Sequence, residues 1–169
     1  IRNFLSKTLS KSINFRIVAI LTKFLKPFSF FFPKKLRNMI NLMPIKFPKK
    51  TLSQMKVYEV DKKKKPVARV ALLTGCVQKV LAPQINEASI RLLNRHNIEV
   101  VVLKEIDCCG SLNHHLGKSD LANETFKKNI SIWYDEYLNN GLDAIISNTS
   151  GCGTTLKDYG FIFRSDNNL

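Results

Sequence analysis

Residues 98–110 read IEVVVLKEIDCCG, and this stretch decides how the chain folds. Residues 98–103 form a short run of mainly β-branched and apolar side chains, typical of a strand buried in a parallel sheet. Two neighbouring cysteines and a glycine follow the predicted strand. The same plan recurs on both sides, as RVALLTGC over 69–76 and LDAIISNTSGCG over 142–153. The sequence therefore predicts three strands, each followed by a turn that carries glycine and cysteine.

Helical segments separate and follow these predicted strands. Residues 83–96 have apolar side chains at helical spacing, namely Ile85, Ala88, Leu92 and Leu93. Residues 120–140 have them at i, i+4, i+7 and i+11, namely Phe126, Ile130, Trp133 and Tyr137. Residues 154–159 open a further helix. Strands that alternate with helices indicate a parallel sheet with right-handed crossovers. We predict an α/β fold, a three-layer βαβαβα unit with a short parallel sheet.

The four cysteines lie at equivalent places in this scheme. Cys76 follows the first predicted strand, Cys108 and Cys109 follow the second, and Cys152 follows the third. The carboxyl ends of parallel strands share one edge of a sheet, where ligand sites form, and neighbouring strands lie about 4.8 Å apart. Four thiols that are distant in sequence should therefore converge at that edge.

Four converging thiols predict a metal centre. Cysteine thiolates hold iron–sulfur clusters, and they also hold structural zinc. Zinc sites usually take cysteines in closely spaced pairs, whereas the adjacent Cys108 and Cys109 suit a larger cluster better. We expect the flanking Gly75, Gly110 and Gly151 to let the backbone approach the cofactor. His114 and His115 follow the cysteine pair, and they are candidates for hydrogen bonds to cluster sulfur rather than for metal ligation.

The first 66 residues differ from the rest in charge. Residues 1–70 carry 18 Lys and Arg against two acidic residues, whereas residues 71–169 carry nine against 11. Several apolar residues of the basic part fall on one helix face: Ile13, Ile17, Ile20, Leu21 and Phe24. Prolines divide the segment, and lysines interrupt every apolar run that could span a membrane or serve as a secretion signal.

These features predict a domain boundary near residue 66. Residues 1–66 form a basic, mostly helical connector, and residues 67–169 form the cysteine-rich domain. The stretch 53–68, around this boundary, is predicted to be an exposed linker. The basic segment is a solvated connector, an attachment to an anionic membrane surface, or a docking surface for an acidic subunit. No basic stripe falls on the α/β part, so we expect no nucleic-acid partner. The expected location is cytoplasmic, including a peripheral position on the inner face of the membrane.

The cysteine pattern resembles a known family. Cys76, followed after 31 residues by Cys108-Cys109-Gly110 and by a later cysteine, resembles the CCG cysteine-rich domain. Three stretches resemble that domain as it occurs in glycolate oxidase iron–sulfur subunits: VALLTGCVQKVLAPQINEASIRLLNRHNIEVVV, CCGSLNHHLG and LDAIISNTSGCGTTLKDYG. The domain also occurs in heterodisulfide reductase, lactate-utilisation and glycerol-3-phosphate dehydrogenase subunits.

The resemblance implies both a function and a departure from the family. Family members end the pattern in C-x-x-C, whereas Thr149 stands at the first position of that pair here. Four cysteines remain, so the implied cofactor is a four-thiolate iron–sulfur cluster, with 4Fe-4S as the expected type. The chain is expected to represent the first of two CCG units of a longer protein.

The implied activity is electron transfer within an oxidoreductase. A partner flavin subunit that carries FAD would oxidise glycolate to glyoxylate, and a further FAD-type subunit would belong to the same complex. No catalytic residue is expected on this chain. Three alternatives stay open: a related CCG redox subunit acting on another substrate, a structural zinc module held by the same four cysteines, and a unit that binds no cluster without the second CCG unit.

Overall fold

The computed structural model describes residues 2–43, 56–60 and 65–166. Four strands form one sheet: β1 (Lys56–Tyr58), β2 (Ala68–Leu73), β3 (Ile98–Val102) and β4 (Ala144–Ser147). Their order is β1-β3-β2-β4. The central strand β2 is parallel to both β3 and β4, whereas β1 is antiparallel to β3. The predicted α/β class with a parallel sheet is confirmed.

Eight α-helices and one 3₁₀ helix lie within the described residues. The helices are α1 (Arg2–Leu9), α2 (Ser12–Leu25), α3 (Lys34–Leu42), α4 (Gln78–Leu81), α5 (Pro83–Arg95), α6 (Ser111–His115), α7 (Ser119–Asn140) and α8 (Ser150–Ile162). The 3₁₀ helix spans Lys26–Phe31, between α2 and α3. None of these helices is both long enough and apolar enough to cross a bilayer.

The sheet separates two apolar cores, which gives the predicted three layers. On one face, side chains of β2 and β3 pack against Phe126 and Trp133 of α7 and Tyr159 of α8. On the other face, the alternate side chains of the same strands pack against Ile90 of α5. Strands with both faces covered require apolar residues at every position, which explains the almost continuous apolar runs of the sequence.

Helix α5 packs on the sheet through a different face from the one that its apolar spacing predicted. Leu92 and Ile85 are exposed, while Ile90 and Asn86 are buried. Asn86 donates from Nδ2 to the backbone oxygen of Thr74 at 2.9 Å, at the end of β2. This polar contact fixes the rotation of the helix, because a buried amide without a partner would be costly.

Strand β1 falls inside the stretch that was predicted to be a linker. Its residues pair with Val100, Val101 and Val102 of β3. In addition, Asn94 donates to the backbone oxygens of Tyr58 and Glu59 at 2.9 Å each. The prediction of an exposed linker is therefore wrong for residues 56–58. The neighbouring residues 51–55 and 61–64 lie outside the described part.

The helical character of the N-terminal segment is confirmed, and its first two helices dock on the cysteine-rich part. Phe15 and Ala19 of α2 are buried, and α2 packs on α4 while α1 packs on α6. Ser6 of α1 donates to Asn113 Oδ1 of α6 at 2.7 Å in a buried contact. The segment is thus more than a solvated connector, because part of it is built into the domain.

Candidate metal centre

The carboxyl edge of the sheet brings the four cysteines together. Cys76 follows β2, Cys108 and Cys109 precede α6, and Cys152 lies in the first turn of α8. All four are free thiols; Cys108 and Cys109 are buried, and Cys76 and Cys152 are partly exposed. Because β2, β3 and β4 are parallel, their ends meet where the strand pattern predicted.

The thiols contact one another in a chain. The side chains interact in the order Cys76, Cys108, Cys109 and Cys152, each thiol with the next. Among the described residues, no three His, Cys, Asp or Glu side chains surround a single point as ligands of one ion would. A chain of sulfurs matches a cofactor with several metal atoms better than it matches one tetrahedral ion.

The chain arrangement shifts the thiol pKa values in opposite directions at its two ends. The hydrogen bond to Cys108, together with burial, raises the pKa of Cys76 well above its usual range. The contact with Cys109 and burial raise the pKa of Cys108 to about 11. For Cys109, contact with Cys108 lowers the pKa, but Cys152 and burial outweigh it and bring the value to about 12. The hydrogen bond from Cys109 lowers the pKa of Cys152.

Backbone N–H groups point at the sulfurs. The N–H of Gly110 donates to Cys108 Sγ at 3.4 Å, and the N–H groups of Val77 and Ser111 donate to Cys76 and Cys109. Gly110 has φ +76°, and a Cβ at this position would lie 2.5 Å from the Phe126 ring. Only glycine fits there, because both the backbone conformation and the space exclude a side chain. The Phe126 ring and the backbone conformation thus account for glycine at this position, and the predicted approach of this backbone to a cofactor stays a prediction.

Two polar side chains donate hydrogen bonds to the backbone of the cysteine pair. Asn129 of α7 donates to the backbone oxygen of Cys108 at 2.8 Å, and the Tyr159 hydroxyl of α8 donates to that of Cys109 at 2.7 Å. Asn129 also reaches the Tyr159 hydroxyl at 3.2 Å. Burial raises the pKa of Tyr159, so the hydroxyl keeps its proton for this bond. These contacts fix the turn that aims both thiols at the sheet edge.

Neither Asn129 nor Tyr159 was predicted as a site residue. A signal was present at Asn129, since it is a polar residue inside the apolar face formed by Phe126, Ile130 and Trp133. A polar side chain on a buried helix face needs a partner, and here the partner is the backbone of the cysteine pair.

A network of amides connects the ends of β2 and β4 beside Cys76. Gln78 donates to Asn86 Oδ1 at 2.8 Å and to Asn148 Oδ1 at 2.6 Å. The Thr149 hydroxyl donates to Gln78 Oε1 at 2.8 Å. Thr149 also lies near Gly75, whose φ is +72° and whose added Cβ would lie 4.0 Å from Thr149 Oγ1. Thr149, at the position where the resemblance would place a further cysteine, is therefore engaged in this network.

The remaining predicted residues, His114, His115 and Gly151, are all exposed. His114 and His115 are both exposed in the last turn of α6, and the His114 ring packs near Phe126 with 5.9 Å between ring centres. No hydrogen bond joins either ring to a thiol in the described part of the chain. Gly151 is exposed, and a Cβ there would meet open space.

A polar cleft gives access to the centre from the N-terminal side. Its volume is about 630 Å³, and it lies between α1, α2 and α7 and reaches Cys108. At its edge Asp107 accepts from the backbone N–H of Ser12 at 2.7 Å and forms an ion pair with Lys79. A carboxylate at the start of α2 is favourable, because the N-terminus of a helix carries partial positive charge.

The donor set fits an iron–sulfur cluster. Four sulfur donors converge, and backbone N–H groups are directed at three of them, an arrangement that suits thiolates of a cluster. The fold and the site together define a cysteine-rich α/β domain of the redox type.

Comparison with known proteins identifies the family. The sequence model described as the cysteine-rich domain, CCG, matches residues 70–157. The chain belongs to this family of cysteine-rich CCG domains, as its cysteine spacing indicated.

Several relatives in the family are similar over the same part of the chain. The glycolate oxidase iron-sulfur subunit of Escherichia coli K12 is 36% identical over 98 residues, which are 58% of this chain and 24% of that protein. The probable glycolate oxidase iron-sulfur subunit of Bacillus subtilis 168 is 34% identical, over 58% of this chain and 21% of that protein. One component of the fumarate reductase (CoM/CoB) of Methanothermobacter marburgensis is 34% identical, over 56% of this chain and 18% of that protein.

The matched part spans about a quarter or less of the length of these relatives. No solved structure matches the chain.

Proposed function

We propose that Cys76, Cys108, Cys109 and Cys152 hold an iron–sulfur cluster and that the chain is an electron-transfer component of an oxidoreductase. The observation that carries this proposal is the chain of four contacting thiols at one sheet edge, supported by backbone N–H groups. When bound, such a cluster accepts and donates single electrons. The protein supplies the thiolates, excludes water at Cys109, and directs N–H dipoles at the sulfurs.

Anaerobic reconstitution of the chain with iron and sulfide tests the cluster. We expect about four irons and four sulfides per chain for a cluster of the four-cysteine type, with a low-temperature EPR signal after reduction. Cys108→Ser and Cys109→Ser should each lower the iron content, whereas His114→Ala should not. Equal iron content in all three variants would contradict the ligand assignment.

The same experiment separates the cluster from a zinc module. A zinc–thiolate site is colourless, whereas iron–sulfur centres absorb in the visible range. A colourless chain that binds one zinc tightly, and that acquires no iron or sulfide, would replace the redox proposal with a structural one.

The finer proposal concerns substrate and partners. The similarity to glycolate oxidase iron-sulfur subunits supports a role beside a flavin subunit that carries FAD and oxidises glycolate to glyoxylate. Glycolate would lose two electrons and two protons to the flavin, and the electrons would leave singly through the iron–sulfur centre. A further FAD-type subunit completes the proposed complex. The proposed location is cytoplasmic and peripheral to the inner face of the cell membrane.

Substrate and partner can be tested together. A tagged chain purified from its own cells should retain a flavoprotein, and adding glycolate anaerobically should bleach the visible absorption of the complex. Lactate is the informative control, because the chain is also similar to lactate utilization protein A of Geobacillus thermodenitrificans, with 26% identity over 98 residues. Bleaching by lactate and not by glycolate would assign the chain to a related redox complex.

A further inference from the structure

The outer side of the N-terminal helices is a large exposed apolar surface. We call it the outer N-terminal face, and its members are each between 52% and 73% exposed: Ile13, Ile17, Leu21, Phe24, Phe28, Phe30 and Phe31. The inner side of α2, by contrast, buries Phe15 and Ala19 against the domain. The apolar spacing of α2 therefore presents its larger side chains outward, where a water-exposed protein surface rarely gathers them in one patch.

Positively charged side chains surround this face. Residues 2–43 contain nine Lys and Arg and no Asp or Glu. Arg16 and Lys23 fall beside the apolar stripe of α2 at helical spacing, and Lys34 and Lys35 are exposed just after the phenylalanines. The ion pairs between described residues use none of these four cations. Their charge is thus available to an anionic partner.

The exposed apolar side chains and the neighbouring cations together indicate which kind of partner this face binds. The core of a protein–protein interface is depleted of lysine, whereas lysines here border the apolar side chains directly. A helix that lies in the plane of a bilayer interface has this composition, with Phe and Leu facing the acyl chains and Lys and Arg facing anionic headgroups. The aromatic 3₁₀ helix Lys26–Phe31 follows α2 directly, and none of its residues is buried.

We infer that the outer N-terminal face lies on a bilayer of anionic lipids. Its apolar side chains enter the boundary between headgroups and acyl chains, and the neighbouring cations bind headgroup phosphates. The inference rests on the proposed peripheral location and names the surface and the lipid chemistry. It does not depend on the cluster, because no cysteine belongs to the outer N-terminal face.

Vesicle flotation of the complete chain tests this inference. The vesicles contain either phosphatidylcholine alone or equal parts of phosphatidylcholine and phosphatidylglycerol. We expect flotation with the anionic vesicles and little with the neutral ones, and a decrease as salt rises, because salt screens the headgroup charge. Iron content is measured on the same samples, so that a failure of membrane binding and a failure of cluster binding are seen separately.

Two sets of substitutions locate the contact. The combined variant Ile17→Ser, Leu21→Ser and Phe24→Ser should abolish flotation. Its matched control replaces three equally exposed apolar residues of the α/β part, Leu92→Ser, Leu138→Ser and Phe161→Ser, and should float like the unmodified chain. Replacing Lys23, Lys34 and Lys35 by Gln should weaken partitioning about a hundredfold, at about fivefold for each cation near an anionic surface.

Three results would overturn the inference. Equal flotation with neutral and anionic vesicles would remove the role of the cations. Equal loss in the control variant would remove the role of this face. A chain that fails to float with either vesicle, and instead forms dimers that the Ile17/Leu21/Phe24 variant abolishes, would assign the face to a second copy of the chain.

Discussion

Helices α2 and α7 share one apolar spacing and use it in opposite ways. Both carry large apolar residues at i, i+4, i+7 and i+11, from Ile13 in α2 and from Phe126 in α7. In α7 Phe126 and Trp133 of the stripe are buried against the sheet, whereas Tyr137 at its end is 55% exposed. In α2 the stripe faces outward, and Phe24 is 69% exposed. The helical spacing of apolar residues therefore identifies a helix, but the neighbouring elements determine what its apolar face contacts.

The largest expected effect follows from this pair of phenylalanines. Phe126→Ala should lower the free energy of unfolding by about 3–5 kcal/mol, because it leaves a cavity against Ala71, Val101 and Tyr159 in the core. Phe24→Ala should change it by about 0.5 kcal/mol or less, as expected for a surface site. Denaturant unfolding of the two variants measures both values. Similar losses in both would mean that the outer side of α2 is packed in the isolated chain.

The next largest effect concerns the glycines of the site. Gly110→Ala should cost about 3 kcal/mol, since it adds left-handed strain and a contact with the Phe126 ring. The matched variant is Gly151→Ala, in the first turn of α8, where a Cβ meets open space. This substitution should be neutral or stabilise by about 0.5 kcal/mol, because alanine favours helix. Denaturant unfolding again measures both, and equal destabilisation would contradict the specific fit at Gly110.

A smaller effect is expected for the hydroxyl that holds the cysteine pair. Tyr159→Phe removes the donor to the Cys109 carbonyl and should cost about 1–2 kcal/mol. After reconstitution, the variant should also lose iron faster on exposure to a chelator, since the turn that orients both thiols is less restrained. Tyr134→Phe is the control, because Tyr134 is exposed on α7. Unchanged iron release in Tyr159→Phe would limit the hydroxyl to a structural role.

The smallest effect tests whether the two regions unfold together. Ser6→Ala removes the buried hydrogen bond to Asn113 and should lower stability by about 1 kcal/mol. Ser131→Ala, on an exposed position of α7, should have no measurable effect. A single shifted thermal transition would show that α1 belongs to the cooperative unit. A separate early transition in Ser6→Ala would instead divide the N-terminal helices from the α/β part.

The sequence predicted the features that local pattern controls. The three parallel strands begin within two residues of the predicted starts at residues 69, 98 and 142, and the shared strand ends predicted the convergence of Cys76, Cys108, Cys109 and Cys152. Their assignment as ligands stays a prediction. Two regularities account for these results: the apolar runs of β2 and β3, which are covered on both faces, and the common edge of parallel strand ends. Strand β4 also has an apolar run, although its first two residues are exposed.

The features that were missed depend on long-range contacts. The three residues of β1 have no strand pattern of their own, and their strand character comes from pairing with β3. The rotation of α5 depends on the bond from Asn86 to Thr74, and the docking of α1 depends on Asn113. None of these partners lies within one helical turn in sequence, so period and propensity could not reveal them.

The antiparallel strand β1 makes one edge of the sheet different from the other. It covers the outer side of β3, while in the described part of the chain no strand pairs with the outer side of β4. An apolar groove of about 680 Å³ runs beside β4, between α7 and α8. Hydrogen-bonding groups at an open edge are a template for one more strand. The unpaired side of β4 lies at the opposite edge of the sheet from β1, so a strand added there would leave the docking of the N-terminal helices on α4 and α6 undisturbed.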